Sequence, residues 1–408
     1  MTQAGSGWRK FCGNFAYSES RKIKLFSYEI YFEQPSYLSA TSKKVVRQPM
    51  KKANKIKDTN LQAVDFFCSG GGMTAGFRKA GIQVLGGIDI DPACEKTYRL
   101  NNPESDFICE DIKKLAFSTL KERLKIARND DRLIFIGCSP CQYWSKMNTV
   151  KTKSQQTKNL LSDFQKFVDY FQPGYVVIEN VPGILKRLEE SPLKAFLDFL
   201  DSQKYKYAKG ILNASHYGVP QTRRRFLLIA SRVVENIALP VADTKKCPPT
   251  VRQFIGDQQK FYSISAGHKD ESDFLHTTSQ LSGTNLERLR LTPHNGGTRM
   301  AWKNTRLQIP AYMGKDDCFQ DVYGRMYWDK PAPTITTKFF SITNGRFAHP
   351  EQDRGISLRE GAALQTFDSD YKFVFDSQAL AGRLIGNAVP PELSKRIALS
   401  IQKIAEHE

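Results

Sequence analysis

Between Leu61 and Ser231 the chain alternates short apolar runs with stretches of helical spacing. The run LQAVDFF (61–67) carries β-branched and aromatic residues and ends at Cys68-Ser69-Gly70-Gly71-Gly72. That pattern predicts a buried strand entering a tight turn. MTAGFRKAG (73–81) then predicts a helix, QVLGGIDID (83–91) a second strand and PACEKTYRLN (92–101) a second helix. A third short strand is expected to end at Asp111 and Ile112. LIFIG (133–137), YVVIEN (175–180) and RRFLLIAS (224–231) predict further strands, and LLSDFQKFVDYF (160–171) and LKAFLDFLDSQ (193–203) further helices. Strands alternating with helices imply βαβ units, hence an α/β fold on a largely parallel sheet.

The alternation stops near Ser231. From about 240 to 350 the chain is rich in Thr, Gly, Asn, Pro and charge, and long apolar runs are few. This stretch predicts a second, smaller domain made mostly of loops and short strands. LREGAALQTF (358–367) and PELSKRIALSIQKIA (391–405) are helical again. Residues 1–60 are basic and show no clean period. Their run KKVVRQPMKKANKIK (43–57) suits a solvated linker or arm, with phosphate contact as the alternative.

Composition narrows the setting. A chain of 408 residues suits two domains, or one large α/β domain with an insertion. The net charge of +18 favours a polyanionic partner, either nucleic acid or an anionic membrane surface, over a basic protein with no such partner. No apolar stretch reaches the ~20 residues that span a bilayer. The first 20 residues lack the apolar core of a secretory signal, so a soluble, intracellular protein is expected. The eight cysteines are scattered. Cys138 and Cys141 make one C-x-x-C, and no second pair completes a zinc site, so no metal is expected.

Three places carry candidate chemistry. The glycine turn at 68–72 allows close approach of backbone to a ligand at a helix N-terminus, and Asp89 ends the next strand, where an acid meets ribose hydroxyls. Gly70-x-Gly72-x-x-Ala75 also satisfies the nicotinamide fingerprint nominally, whereas no Gly-Lys-Ser/Thr follows to make a Walker loop. A turn with no ligand is the plain alternative. Cys138-Ser139-Pro140-Cys141 follows a buried strand and reads equally as a nucleophile site, a redox pair or inert thiols. Glu179 ends another apolar strand, where a carboxylate is costly without a partner or a task. Gln221-Thr222-Arg223-Arg224-Arg225 precedes the last strand, either as a solvated basic face or as phosphate and base contacts.

DFFCSGGGMTAGF, GIDID, EDI, SPCQYWS, ENVPGIL, QTRRR, REGAALQTF and GNAVPPELS stand in the order of the cytosine-5 DNA methyltransferase motifs, covering most of 65–395. The chain therefore resembles that family, in its bacterial restriction-modification form. The resemblance implies a doubly wound, Rossmann-like S-adenosylmethionine-dependent domain with a smaller target-recognition domain. The implied boundaries are an N-terminal extension (1–60), a first catalytic part (61–235), a small domain (236–378) and a returning segment (379–408). It implies Cys141 as the thiolate that attacks carbon 6 of cytosine, Glu179 as the acid on the ring, Arg225 at the carbonyl oxygen and Arg223 in support. For the methyl donor it implies Phe67, Ser69, Gly70, Gly72, Asp89, Ile90, Asp111, Ile112, Pro140, Asn387 and Val389.

The same resemblance implies double-stranded DNA as partner, a flipped target base, a monomer, a cognate restriction endonuclease and a bacterial cytoplasmic setting. QYWSKMNTVKTKSQQTKN (142–159) suits a mobile lid over DNA, as against a plain surface loop. Ser145, Lys146, Gln221, Arg288, Arg290, Arg299, Lys303 and Arg306 are candidate DNA contacts. Arg359 and Glu360 are expected to pair internally, and Asp329–Thr336 resembles a structural turn and strand of the family. Ser69 stands where the family usually has glycine, and Cys138 is an unusual neighbour for the nucleophile, able in principle to bridge to it on oxidation. The rivals are the same chemistry on tRNA, whose Cys-Phe-Thr tripeptide is missing here, a DNA-binding regulator with a decayed site, and a thiol oxidoreductase.

Overall fold

A computed structural model describes residues 60–140, 159–185 and 191–406. Cys141, Ser145, Lys146 and most of the expected lid lie outside the described residues, as does nearly all of the N-terminal extension. The first half runs β1 (Gln62–Phe66), α1 (Gly72–Lys79), β2 (Gln83–Asp89), α2 (Glu95–Asn101), β3 (Asp106–Cys109), α3 (Phe117–Leu124), β4 (Leu133–Gly137), α4 (Leu160–Phe171), β5 (Tyr175–Asn180), α5 (Pro192–Ser202), β6 (Lys206–Asn213), β7 (Gln221–Thr222) and β8 (Arg224–Ser231). Seven strands form one sheet in the order β3-β2-β1-β4-β5-β8-β6. The first five are parallel; β8 runs antiparallel to both β5 and β6.

Why these runs become central strands follows from their two faces. Side chains alternate across a strand, so a strand covered on both sides must be apolar throughout. Val64, Phe66, Phe135, Val176 and Ile178 pack on one face against Phe164, Phe167 and Phe171 of α4 and Leu193, Phe196 and Leu197 of α5. Ala63, Ile134, Ile136 and Val177 pack on the other against Met73 and Phe77 of α1 and against the last helix, α10 (Pro391–Glu406), through Leu393, Ile397 and Ile401. Gly76 permits that last contact: a Cβ there would stand 2.3 Å from Cβ of Ser394. Each such apolar side chain contributes roughly 1.5–3 kcal/mol when fully buried.

Three elements differ from expectation. β6 has an irregular, half-exposed pattern because it is the sheet edge. The third strand stops at Cys109, since Asp111 accepts from the Lys113 amide and turns the chain. The region after 240 builds short helices rather than strands: α6 (Val251–Ile255), α7 (Gly283–Leu291), α8 (Leu358–Leu364) and α9 (Gln378–Gly386), with one two-residue strand, β9 (Ala332–Pro333), beside β7. Polar caps start these helices; Thr250 with Gln253 and Ser357 with Glu360 form capping boxes. Met326, Trp328, Ile335, Phe339 and Phe367 share a core with Cys68, Ala75 and Tyr98. Leu289, Trp302, Leu307 and Tyr323 belong to a separate small cluster.

Buried arginines hold this irregular region. Arg325, fully buried, donates to the carbonyls of Leu289, Thr292, His349 and Gln352 and pairs with Asp353. Arg359 donates to those of Asp273, Phe274, Asp368 and Tyr371. The expected Arg359–Glu360 pair is therefore corrected: Glu360 pairs with Arg354 through two contacts of 2.7 Å. Adjacent helix residues point in different directions, so Arg359 and Glu360 serve different neighbours.

Candidate active site

A cavity of about 700 Å³ opens at the carboxyl ends of the parallel strands. The strand order reverses between β1 and β4, and doubly wound sheets bind ligands at such switch points. The turn after β1 makes one wall. Phe67 and Cys68 both donate their amides to the Ile88 carbonyl, at 2.8 and 3.1 Å. Phe67, Ser69 and Gly71 have φ of 66°, 48° and 89°, the left-handed region that side chains disfavour. A serine at position 69 thus occupies a backbone conformation suited to glycine, and its Oγ lies 3.8 Å from Sγ of Cys94. Non-glycine residues held in this way cluster at functional sites.

Asp89 is fixed from two sides. Its Oδ2 accepts from the Ser69 amide and its Oδ1 from the Asp91 amide, both at 2.9 Å. Burial nonetheless pushes its carboxyl above the ordinary value, against those hydrogen bonds. Below lies Asp65, fully buried at the end of β1. Its Oδ2 accepts from the amide and hydroxyl of Thr74, at 3.2 and 2.7 Å, while Oδ1 has no hydrogen-bond partner among the described residues. Burial pushes this carboxyl up to about 7. Glu110, Asp111 and Asp91 also line the cavity. Asp91 is paired with Arg383 at the rim, so it is the Asp65 and Asp89 part of the wall that suits a ligand carrying positive charge as well as hydroxyls. Burial pushes the Cys94 thiol up to about 12 and raises that of Cys68, so both sulfurs on this wall are protonated and unreactive.

The far side of the cavity carries the second acid. Glu179, at the end of β5, is nearly buried, and Nε of Arg225 stands 2.9 Å from its Oε1. This is a close ion pair rather than an aligned hydrogen bond. Arg225 is delivered by the antiparallel pairing of β5 with β8. Arg223 also lines the cavity but is buried, and its guanidinium donates to the carbonyls of Ile335, Gly386 and Ala388 at 3.0–3.3 Å. Burial pulls its guanidinium well below the ordinary value, with the Arg225 charge adding to the effect. These bonds pin the backbone of 386–388, part of the cavity's returning wall. After β4, Ser139 is buried and Pro140 lines the cavity, one residue before Cys141.

The cavity gathers residues separated in sequence. Phe67, Ser69, Gly72, Asp89 and Ile90 line one part, Asp111 and Ile112 another, and Asn387 and Val389 the returning side. Gly70 is not among the lining residues: it sits against Leu384 and Thr97, and its carbonyl accepts from the Tyr371 hydroxyl at 2.6 Å. Sequence reasoning missed Asp65, Cys94, Asp91 and Arg383, all of which line it. The signal for Asp65 was available, since a carboxylate inside a buried apolar strand is costly.

The expected DNA contacts divide. Gln221 is corrected to an interior residue: its amide nitrogen donates to Leu364 and Gln365, and its oxygen accepts from Ile335. Arg299 is likewise corrected, being nearly buried and donating to the carbonyls of Lys315, Cys318 and Phe319. Arg288 lies over Trp302 and donates to Leu307. Arg290 is exposed, 3.9 Å from Asp353. Lys303 pairs with Asp316, and Arg306 is exposed beside Glu287. No helix among the described residues is long and apolar enough to cross a membrane.

The sheet order and the switch-point cavity define a doubly wound α/β protein with an acid-lined cavity at the ends of its parallel strands. Residues 61–403 match the family described as C-5 cytosine-specific DNA methylase, and the chain belongs to that family. It is thus a DNA cytosine-5 methyltransferase. Among its relatives are the Type II methylase M.HgiDII of Herpetosiphon aurantiacus, 36% identical over 84% of this chain and 95% of that one, and the Type II methyltransferase M1.BsuMI of Bacillus subtilis, 29% identical over 83% and 80%. A DNA modification methyltransferase encoded within an E. coli prophage shares the fold, with a TM-score of 0.64 and 22% identity over 84% of this chain and 99% of that one.

Proposed function

We propose that the switch-point cavity binds S-adenosylmethionine and that Cys141, Glu179 and Arg225 act together on a cytosine flipped out of duplex DNA. The observation that carries this reading is the meeting of two acidic stations on one cavity: the Asp65–Asp89 wall and the Glu179–Arg225 pair. The donor is a sulfonium with an ammonium group, and it supplies an electrophilic methyl. The unpartnered Oδ1 of Asp65 and the acids around it fit that positive charge. Asp89 would take the ribose, Phe67, Ile90, Ile112 and Val389 the adenine faces and pocket walls, and Asp111 the adenine edge, while Pro140 and Asn387 border the reacting end.

Carbon 5 of cytosine is a weak nucleophile. Addition of the Cys141 thiolate to carbon 6 moves electron density onto carbon 5 and ring nitrogen 3. Glu179 holds nitrogen 3 and the amino group, and Arg225 the carbonyl oxygen, so the anionic ring is met by a proton donor and a fixed positive charge. After the methyl bond forms, loss of the carbon 5 proton lets the ring expel the thiolate. Arg223 supports this from behind by pinning the 386–388 backbone.

Residues 236–378 are proposed to read the target sequence, with Arg290, Lys303 and Arg306 among the exposed cations of that region. The resemblance to Type II methylases supports a role as the protective partner of a restriction endonuclease; the enzyme is proposed to act as a monomer. Bisulfite sequencing of DNA from cells expressing the gene tests the reading. A single short sequence context should resist conversion with the wild type and convert fully with Cys141→Ser. Equal protection by both would refute it.

A further inference from the structure

The cavity rim carries an ion pair with no part in the chemistry above. Arg383 lies in the last turn of α9, and its guanidinium nitrogen stands 2.6 Å from Oδ2 of Asp91. Both residues line the cavity. Their side chains are 47% and 27% exposed, which puts the contact at the mouth rather than the floor. Asp91 is well anchored: its Oδ1 accepts from the Ala93 amide, and its own amide holds Asp89. One charge therefore ties the Asp89 turn to the helix that leads into Gly386–Val389.

The two ends of that returning segment are held differently. Behind it, Arg223 grips the carbonyls of Gly386 and Ala388, and a Cβ on Gly386 would meet the Thr336 backbone at 2.4 Å. That side is buried and fixed. In front, Asp91 is the polar partner of Arg383 among the described residues, and the contact is open to water. We infer that the Asp91–Arg383 pair is a clasp across the mouth of the donor cavity, with Arg383 a positioning residue that tightens retention of S-adenosylmethionine and its demethylated product by favouring the closed rim. An exposed pair of this kind changes an equilibrium by about fivefold at most, enough to retain a ligand without locking it in. Salt should weaken the clasp, because the pair is accessible to screening.

This inference rests on the donor assignment made above, and titration calorimetry with S-adenosylhomocysteine and S-adenosylmethionine separates the two. For Arg383→Gln, Kd for both ligands should rise about two- to fivefold, and the KM for the donor should rise more than kcat falls. Asp91→Asn should do the same. The double variant should be no weaker than either single one, because each removes the same interaction. Arg383→Lys should recover most of the loss. Wild-type affinity in Arg383→Gln, or fully additive losses in the double variant, would overturn the clasp alone. A wild-type protein that binds neither ligand would overturn the donor site as well. Thermal melting without ligand separates a misfolded variant from an unclasped one, and the Asp91→Asn arm then carries the test.

Discussion

The arginines that meet carboxylates on the cavity walls and those buried among the irregular chain between 290 and 370 do opposite work. Arg225 and Arg383 meet carboxylates on the walls of an open cavity. Arg325, Arg354 and Arg359 are buried and serve mainly carbonyls and one buried acid. The difference follows from how each region satisfies its backbone. Strands and helices pair their own amides and carbonyls, so the sheet half is stabilised by apolar layers and can leave charges for chemistry. An irregular chain has carbonyls without ladder partners, and a guanidinium with five donors can serve several at once. A basic residue is thus a site residue where it stands on an open wall and part of the frame where it is buried against carbonyls, as Arg223 is beside Arg225.

The sharpest way to break this comparison is to exchange a frame arginine. Arg354→Met leaves the Glu360 carboxylate buried without its partner, and should cost about 3–5 kcal/mol of unfolding free energy in urea titration. Arg225→Ala should instead lower kcat about a hundred- to a thousandfold, with melting within a few degrees of wild type. If Arg225→Ala unfolds the protein, or Arg354→Met leaves it intact, the division is wrong.

The acids of the two halves should respond to pH with opposite signs. Burial raises Asp65 to about 7, so its contribution is complete below the ordinary value near 4 and is lost as pH climbs through 7. Arg354 holds Glu360 down to about 2 despite its burial, so its contribution is present above the ordinary value and is lost as pH falls toward 2. Asp65→Asn should flatten the decline in ligand-free stability between pH 4 and 7, while leaving the acid limb unchanged. A variant that declines as the wild type does would exclude Asp65 as its source. The smallest effect is expected at Arg290→Ala, which should alter stability by less than about 0.5 kcal/mol and weaken DNA binding most at low salt.

The comparison also marks what was legible in the chain. The strands β1, β4 and β5 were plain because two covered faces demand unbroken apolar runs. The glycine turn, Asp89 and Glu179 were plain because a turn or an acid at a strand end interrupts such a run. β6 was hidden by its place at the edge, where one side faces water and the pattern blurs. Gln221 and Arg299 were misjudged because a donor that will meet a carbonyl is written the same way as one that will meet a phosphate. Asp65 was overlooked because four apolar neighbours made it look like part of a strand; its neighbours in space, not in sequence, give it a cavity to face.

Covalent trapping tests the central claim most directly. Duplex DNA carrying 5-fluorocytosine at the methylated position cannot lose a proton from carbon 5, so the bond from Cys141 to carbon 6 should persist after methyl transfer. With S-adenosylmethionine present, the wild type should migrate as a protein–DNA adduct that survives denaturation, and Cys141→Ser should give none. No adduct under conditions that methylate the ordinary duplex, or an equal adduct from Cys141→Ser, would contradict the account.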